Sequence, residues 1–359
     1  MVKRSKRVHH LAVVLLAAAL TATACGSVGK GDPQQAATPV ETQPNTADHT
    51  PVEQTPAPAG FTTPLTGLSI EQEATKRPIA VMVNNYKAAR PQSGLTQADV
   101  VWEVLAEGGI TRLVAIFQSS EATDPIGPIR SIRPYLIDIG DSYHAVLVHA
   151  GASNDAYDIL QHHGGRDYMD EITNAGAYYW RDKTRKAPHN LYSDLGKMRD
   201  GAQHKKYETD VPIPSFTFAP DGAGTYDGLA NTIDIKFLME DYKVNYSYDA
   251  AKNVYLRSIN GEPHIDLNNK EQLSASNVVV LGANQQTYDD YGRMKVDLSS
   301  GGKALLFQNG QAVACEWTRL GADAIRLVKD GKELPFLPGH TYYHVVPNKP
   351  AFEDHVKYG

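Results

Sequence analysis

Hydrophobic positions along the chain form one early continuous run and, later, a series of short runs. The early run covers residues 11–20, follows a stretch with four basic side chains, and is followed by small residues that lead to Cys25. This order of basic, apolar and small residues is typical of a secretory signal peptide. The run is also shorter than the roughly 20 apolar residues that a membrane-spanning helix needs. We therefore predict a signal peptide over residues 1–24 and an exported mature protein.

The residues around Cys25 predict how the mature chain is held at the membrane. The segment 22–27, ATACGS, resembles the bacterial lipobox, in which the cysteine receives a diacylglycerol whose lipid chains form the anchor. Ala22 stands where the motif usually has Leu, so an ordinary secretory cleavage site is the alternative. Residues 25–62 are rich in Pro, Thr and Gln, which predicts a disordered tether. We expect an extracytoplasmic protein anchored to the outer face of the cell membrane by a lipid.

The later hydrophobic runs predict an α/β domain over residues 63–218. Residues 78–83 and 145–150 are apolar runs typical of buried strands, and Ser153 can cap a helix after the second run. Residues 98–107 and 111–117 are also strand-like, and the two glycines between them predict a β-hairpin. These elements together indicate a mixed sheet with helices.

Beyond residue 218 the pattern changes to short strands separated by turn residues. Apolar segments such as 233–237, 277–281 and 341–346 alternate with Gly and Asn turns, which is typical of antiparallel β domains. The Pro- and Gly-rich stretch 211–225 indicates the junction. The predicted fold class is therefore α+β: an N-terminal α/β domain with a mixed sheet, followed by a smaller, mostly antiparallel β domain over residues 219–359.

Polar side chains at strand ends and in loops of the first domain suggest a ligand-binding site. Arginine presents a rigid fork that suits carboxylate or phosphate, and open α/β sheets bind ligands at the carboxyl ends of their strands. The candidates for ligand binding are Arg112, Arg130, Arg133, His149, Arg181, His189 and Asn190. We expect Arg130, Arg133, His149 and His189 to share one cleft; exposed or hydrogen-bonded structural roles are the alternative.

The predicted hairpin also supplies candidate acid and base groups. Side chains alternate along a strand, so Glu103 and Glu107 share a face. A two-residue turn would pair Leu105 with Arg112, and Arg112 would then lie between the two glutamates and pair with at least one of them. Glu103 and Glu107, with His149 as partner, are the candidate catalytic residues of a hydrolase. A solvated ion cluster on an exposed sheet face is the alternative.

Charge and cysteine content narrow the classes of function. The formal net charge is -6, and loss of the four basic residues of the signal peptide brings it to -10. We therefore expect no nucleic-acid partner. With Cys25 in the anchor, Cys315 is the remaining cysteine, so no disulfide is expected. The sequence shows no P-loop, dinucleotide or His-Glu-x-x-His fingerprint, and we predict neither a cofactor nor a metal site.

Several longer motifs resemble a known bacterial family, the YerB-like lipoproteins, whose domain is known mainly as one of unknown function. The motifs are RPQSGLTQADVVWEVLAEGGITR, GPIRSIRPY, AVLVHAG, RKAPHNLY and GKELPFLPGHTYYHVVP. The resemblance implies an envelope location and a two-domain layout, and it supplies no catalytic residue. Three functions stay open. We favour binding of an anionic or glycan envelope ligand over hydrolysis of an envelope polymer and over a scaffold that binds an envelope protein through a strand edge.

Overall fold

Three short α-helices and many β-strands make up residues 60–359, the part of the chain that the computed structural model describes. The predicted signal peptide, Cys25 and residues 25–59 of the predicted tether lie outside this part. The helices are α1 Pro134–Asp141, α2 Asn154–His162 and α3 Leu195–His204. The Ser153 hydroxyl caps α2 by accepting a hydrogen bond from the Ala156 amide at 3.3 Å, as predicted. Within residues 60–359, no helix has the length and apolar character to cross a membrane.

The strands include the predicted hairpin and the short segments expected late in the chain. Those before residue 200 are β1 Phe61–Thr62, β2 Ser69–Ile70, β3 Ile79–Asn84, β4 Val100–Leu105, β5 Thr111–Phe117, β6 Val146–His149, β7 Tyr168–Asp170, β8 Trp180–Arg181 and β9 Leu191–Tyr192. Those after it are β10 Gly228–Leu229, β11 Thr232–Lys236, β12 Lys243–Asp249, β13 Val254–Ile259, β14 Glu262–Pro263, β15 Ser274–Ala275, β16 Asn277–Ala283, β17 Gln285–Thr287, β18 Met294–Val296, β19 Gly302–Gln308, β20 Gln311–Thr318, β21 Arg326–Lys329, β22 Lys332–Glu333, β23 Thr341–Pro347 and β24 Val356–Tyr358.

Twelve strands from both parts of the chain form one mixed sheet. Its order is β22-β21-β20-β19-β16-β23-β4-β5-β3-β6-β7, with β10 paired to β20. Strand β23 lies between β16 and β4 and runs parallel to both. A strand from near the C-terminus therefore completes the sheet that β3, β4 and β5 begin. The predicted boundary between residues 218 and 219 separates two parts of the sequence. In the structure, strands from both parts belong to this one sheet.

Both faces of the large sheet are covered. A six-stranded antiparallel sheet, with order β14-β13-β12-β11-β24 and β15 paired to β13, packs on one face. Tyr255 of this second sheet and Phe307 of the large sheet belong to the same hydrophobic core. Helices α1 and α2 cover the opposite face, where Leu136 and Leu160 share a second core with Trp102. The apolar area that both layers remove from water stabilises this arrangement.

The β4–β5 hairpin forms as predicted, but its register differs by one residue. Leu105 pairs with Thr111, and Arg112 pairs with Val104 instead of Leu105. The turn spans the five residues 106–110, and the Ala106 amide donates to the Ile110 carbonyl at 2.6 Å. Gly108 and Gly109 both adopt positive φ, which allows this longer turn. A turn with an odd number of residues replaces the predicted even one.

This shift of one residue separates the side chains that the hairpin was expected to bring together. Val104, the partner of Arg112, belongs to the core beneath the helices, whereas Leu105 belongs to the core beneath the second sheet. Glu103 shares the face of Leu105 because side chains alternate. The expectation that Arg112 and the two glutamates share one face is therefore wrong. Its second part, a pair between Arg112 and one glutamate, is confirmed for Glu107 at 3.5 Å.

Candidate functional site

A pocket of about 430 Å³ lies where the hairpin turn, the end of β3 and two loops meet. We call it the arginine pocket. Its lining residues are Asn84, Tyr86, Ala106, Glu107, Ile110, Thr111, Arg112, Arg130, Pro188 and His189. Among the residues predicted to bind a ligand, Arg112, Arg130 and His189 come together here. Arg133 reaches the pocket through its ion pair with Glu107.

The backbone that carries Arg130 is fixed between two strands of the large sheet. The Arg130 amide donates to the Met82 carbonyl of β3 at 2.8 Å, and its carbonyl accepts from the Ala150 amide, just after β6, at 3.1 Å. Proline residues at 128 and 134 restrict the segment on either side. The loop therefore presents Arg130 at the edge of a rigid sheet, where ligand sites are commonly built.

Arg112 is held deep in the pocket wall. Its Nη1 donates to the Ser131 carbonyl at 2.7 Å, and its Nη2 lies 3.5 Å from Glu107 Oε2. Burial, together with the positive charge of Arg133, lowers the pKa of Arg112 to about 10. A guanidinium with this pKa is still charged near neutral pH. The pocket therefore contains a desolvated positive charge.

Glu107 is shared between two of the three arginines. It pairs with Arg133 Nε and with Arg112. Burial alone would raise the pKa of Glu107, but the Arg133 hydrogen bond and both guanidinium charges lower it, so the carboxylate is ionised. One carboxylate thus faces Arg112, Arg130 and Arg133, and the cluster keeps an excess of two positive charges.

Arg130 is the arginine of this cluster that the described residues leave unpaired. Within residues 60–359 its guanidinium has no hydrogen-bond or ion-pair partner, although the side chain is partly buried in the pocket. Burial lowers the pKa of Arg130, and the charge of Arg133 adds to this effect. A partly desolvated guanidinium without a partner is stabilised when an anion supplies one.

His189 contributes a neutral donor to the same pocket. The Asn84 side-chain oxygen accepts from the Tyr86 amide at 3.0 Å, which assigns the Asn84 nitrogen as the donor to His189 Nδ1 at 2.8 Å. The proton of the neutral ring is then on Nε2. Burial lowers the pKa of His189, and the charges of Arg130 and Arg185 lower it further. The Tyr86 ring stacks on the imidazole, with centroids 5.5 Å apart, and helps to orient it.

The other residues predicted to bind a ligand lie outside the arginine pocket. His149 ends β6 as predicted, but it is fully buried, with Nδ1 3.0 Å from the Gly151 carbonyl and 3.6 Å from Asp170 Oδ1. Burial lowers its pKa to about 4. Arg181 pairs with Glu171 at 3.2 Å and donates to Asn190 Oδ1 at 3.2 Å. The structure therefore does not bring His149, Arg181 and Asn190 to the cleft with Arg130.

Glu103 belongs to a different, fully buried network between the two sheets. Its Oε2 pairs with Arg257 Nη2 at 2.7 Å and lies 3.2 Å from His344 Nδ1. Its Oε1 accepts from Thr111 at 2.7 Å and from Asn85 at 3.0 Å. Burial raises the pKa of Glu103, but Arg257 and His344 outweigh this and hold the pKa well below its usual range. A sealed, ionised and fully paired carboxylate is poorly suited to act as a hydrolytic acid or base.

Sequence reasoning missed three residues at these sites. Asn84 and Tyr86 directly follow a predicted strand, and their position at its carboxyl end was the signal that could have identified them. Arg257 gives no comparable signal, because it lies in an ordinary alternating strand of the second sheet.

The part of the chain covered by the structure contains no group of three or more His, Cys, Asp or Glu that could hold a metal ion.

Comparison with known proteins connects this structure to a family. Residues 65–208 match the N-terminal domain, and residues 233–343 the C-terminal domain, of a protein of unknown function, DUF3048. The chain belongs to the DUF3048 family. The two matched domains of DUF3048 leave residues 209–232 between them, a segment that includes the predicted junction.

Two comparisons with YerB confirm the resemblance seen in the motifs. A curated protein of Bacillus subtilis (strain 168), named "Putative lipoprotein YerB", is 38% identical over 290 residues, which are 80% of this chain and 87% of that protein. The crystal structure of the YerB protein from Bacillus subtilis matches with a TM-score of 0.75 and 36% identity, covering 83% of this chain and 99% of that chain. This DUF3048 protein is therefore similar to a protein named as a lipoprotein, and neither name states a ligand or a reaction.

Proposed function

We propose that the arginine pocket binds an anionic group, phosphate or carboxylate, of a cell-envelope ligand. The observation that carries this proposal is the unpaired guanidinium of Arg130, placed beside a buried and only partly compensated Arg112. A surface salt bridge could have neutralised Arg130 at little cost, yet the residues that line the pocket provide one carboxylate, and that carboxylate is already shared. An anion would supply the missing charge.

The donors in the pocket suit a small oxyanion. Arg130 offers its free guanidinium, Arg112 offers the guanidinium hydrogens that Ser131 and Glu107 do not use, and His189 offers Nε2–H. Arginine recognises carboxylate and phosphate through paired hydrogen bonds, which gives geometric selectivity in addition to affinity. The acidic charge of the rest of the chain opposes long, densely charged polyanions such as nucleic acid.

Binding of sulfate to the full-length protein in detergent tests the proposal, with calorimetry as the measurement. We expect Arg130→Gln to weaken sulfate binding by roughly tenfold or more, because a charge-assisted hydrogen bond contributes about 1.5–3 kcal/mol. Lys332→Gln removes the same charge from an exposed strand that does not line the arginine pocket and should leave the sulfate affinity unchanged. Equal sulfate affinity in the wild-type protein and Arg130→Gln would overturn the proposal.

The proposed location follows from the N-terminal sequence and from the named relative. Lipidation of Cys25 would hold the pocket at the outer face of the membrane on the predicted tether of residues 25–62. We expect the mature wild-type protein in the membrane or detergent phase, and we expect Cys25→Ala either to release the protein from the membrane fraction or to stall its processing. Recovery of the wild-type protein entirely in the culture fluid would contradict a lipid anchor.

A further inference from the structure

A second pocket, of about 300 Å³, adjoins the arginine pocket. The two pockets share Tyr86, Ile110 and Thr111 as lining residues, so they lie side by side against a common wall. We call the second one the lysine pocket, after Lys87. It lies between the end of β3 and the loop that joins β11 to β12.

The lysine pocket also carries unpaired positive charge. Lys87 and Arg90 line it together with one carboxylate, Asp241. Lys87 is exposed, and in the region 60–359 its amine makes no ion pair. The Arg90 guanidinium lies over the Tyr242 ring, 5.3 Å from its centroid, and its buried Nε has no partner among the described residues. The excess of one positive charge matches the character of the neighbouring pocket.

The wall behind the lysine pocket is held in place by the buried network of Glu103. Tyr242 and Asn85 line the pocket and donate hydrogen bonds to Glu103 Oε1, and the shared residue Thr111 does the same. Arg257 fixes the other oxygen of the same carboxylate. Residues that are locked by buried hydrogen bonds form a preorganised surface, so a ligand loses less binding energy to ordering them.

We propose that the two pockets form one bipartite site for a ligand with two anionic groups joined by a short spacer, such as a single sugar ring. One group binds at Arg130 and Arg112, the second binds at Lys87 and Arg90, and the spacer lies against Tyr86. This inference rests on the proposed function of the arginine pocket and adds the class of ligand. A ligand that bridges two linked sites gains affinity because its second contact is intramolecular.

The test compares ligands that differ by one anionic group, again with the full-length protein in detergent. The probes are glucose 1,6-bisphosphate against glucose 1-phosphate, and glucarate against gluconate as the carboxylate pair. In at least one pair we expect the wild-type protein to prefer the doubly charged ligand by about tenfold. Lys87→Gln should remove most of that preference and leave the singly charged affinity unchanged. Arg130→Gln should weaken both ligands, and Lys332→Gln should change neither.

Different outcomes of these binding measurements contradict the bipartite site and the proposed function of the arginine pocket. Equal affinity of the wild-type protein for both members of each pair overturns the bipartite site, as does a preference that survives Lys87→Gln. If sulfate still binds in an Arg130-dependent way in those cases, the proposed function stands. If sulfate and all four probes fail to bind, both proposals are overturned.

Discussion

At the scale of single residues, the neutral state of His189 makes anion binding sensitive to pH. In the protein without ligand, burial lowers the pKa of the His189 imidazole, and the charges of Arg130 and Arg185 lower it further. A bound anion offsets the arginine charges and raises the pKa again. Binding is then coupled to proton uptake, and affinity increases as the pH falls.

Sulfate titrations across the range from about pH 8 to about pH 5 measure this coupling, because sulfate keeps its charge over that range. We expect an increase in affinity of roughly tenfold, the effect of raising the His189 pKa by one unit. His189→Gln keeps a hydrogen-bond donor but does not titrate, and its affinity should not follow the pH in this way. An identical pH dependence in the wild-type protein and His189→Gln would show that another group is responsible.

Because His149 is buried, we expect the free energy of unfolding to depend on pH. Burial lowers its folded-state pKa to about 4, whereas the unfolded chain has the ordinary value near 6.5. Between these values the unfolded state binds a proton that the folded state does not, so stability falls as the pH falls through this window. The full difference corresponds to about 3 kcal/mol. Well above about pH 6.5 the imidazole is neutral in both states and has no effect on the pH dependence of stability.

Urea unfolding of the full-length protein at several pH values tests this statement. The wild-type protein should lose more stability between about pH 6.5 and about pH 4 than His149→Gln does, because the variant lacks the titrating group. The two slopes are compared because burial also lowers the pKa of His264 and of His344, which contribute to the pH dependence of both proteins. Parallel slopes for the two proteins would contradict a buried neutral His149.

The sequence predicted where the candidate residues lie along strands and loops, but it did not predict where every side chain points. Their positions at strand ends and in the 127–134 loop follow from local pattern, and Arg130 and His189 do share a pocket. The direction of the His149 side chain depends on β7, which contributes Asp170 and Tyr168 around the ring. No local pattern near residue 149 carries that information, because the contact is made by a segment about 20 residues away.

At the scale of secondary-structure elements, the hairpin turn decides which residues meet. The sequence predicts both strands and the two glycines between them, but glycine permits turns of either even or odd length. The observed five-residue turn aims Glu103 at the second sheet and Arg112 at the helices. The predicted register, wrong by one residue, placed Glu103 with Glu107 as an acid/base pair. In the structure Glu103 instead forms a buried ion pair with Arg257 of the second sheet.

Because the Glu103–Arg257 pair is buried, we expect even a conservative substitution of Glu103 to destabilise the protein strongly. Glu103→Gln keeps the size of the side chain but leaves Arg257 buried without its carboxylate. We expect a loss of about 3–5 kcal/mol in the free energy of unfolding. The double variant Glu103→Leu with Arg257→Met removes both charges and should regain part of that loss.

Equilibrium denaturation of the full-length protein measures these changes, and an exposed ion pair provides the control. Glu353 pairs with Lys303 at the surface, with side chains 60% and 68% exposed, so Glu353→Gln should leave the unfolding midpoint nearly unchanged. A Glu103→Gln variant as stable as the Glu353→Gln control would show that the buried pair does not link the two sheets.

At the scale of the whole molecule, the two modules of the family depend on each other. The sequence predicts them as successive domains, and the pattern of short strands in the second is observed. Local pattern does not show that β23 inserts between β16 and β4, because strand pairing over more than 200 residues leaves no periodic signal. The large sheet therefore needs both parts of the chain.

This dependence predicts that residues 60–218 do not fold alone. Without β23, the Val100–Leu105 strand loses its parallel neighbour and exposes an apolar edge, and Glu103 loses Arg257. The core beneath the second sheet also loses the residues that cover it, among them Tyr246, Tyr255 and Phe237. We expect the isolated fragment to aggregate or to show no cooperative unfolding, and co-expression with residues 219–359 to restore a folded complex.

Near-ultraviolet circular dichroism and urea unfolding are the measurements, with the intact chain as the reference. A fragment 60–218 that unfolds cooperatively by itself would mean that the shared sheet is an interface between two independently stable domains.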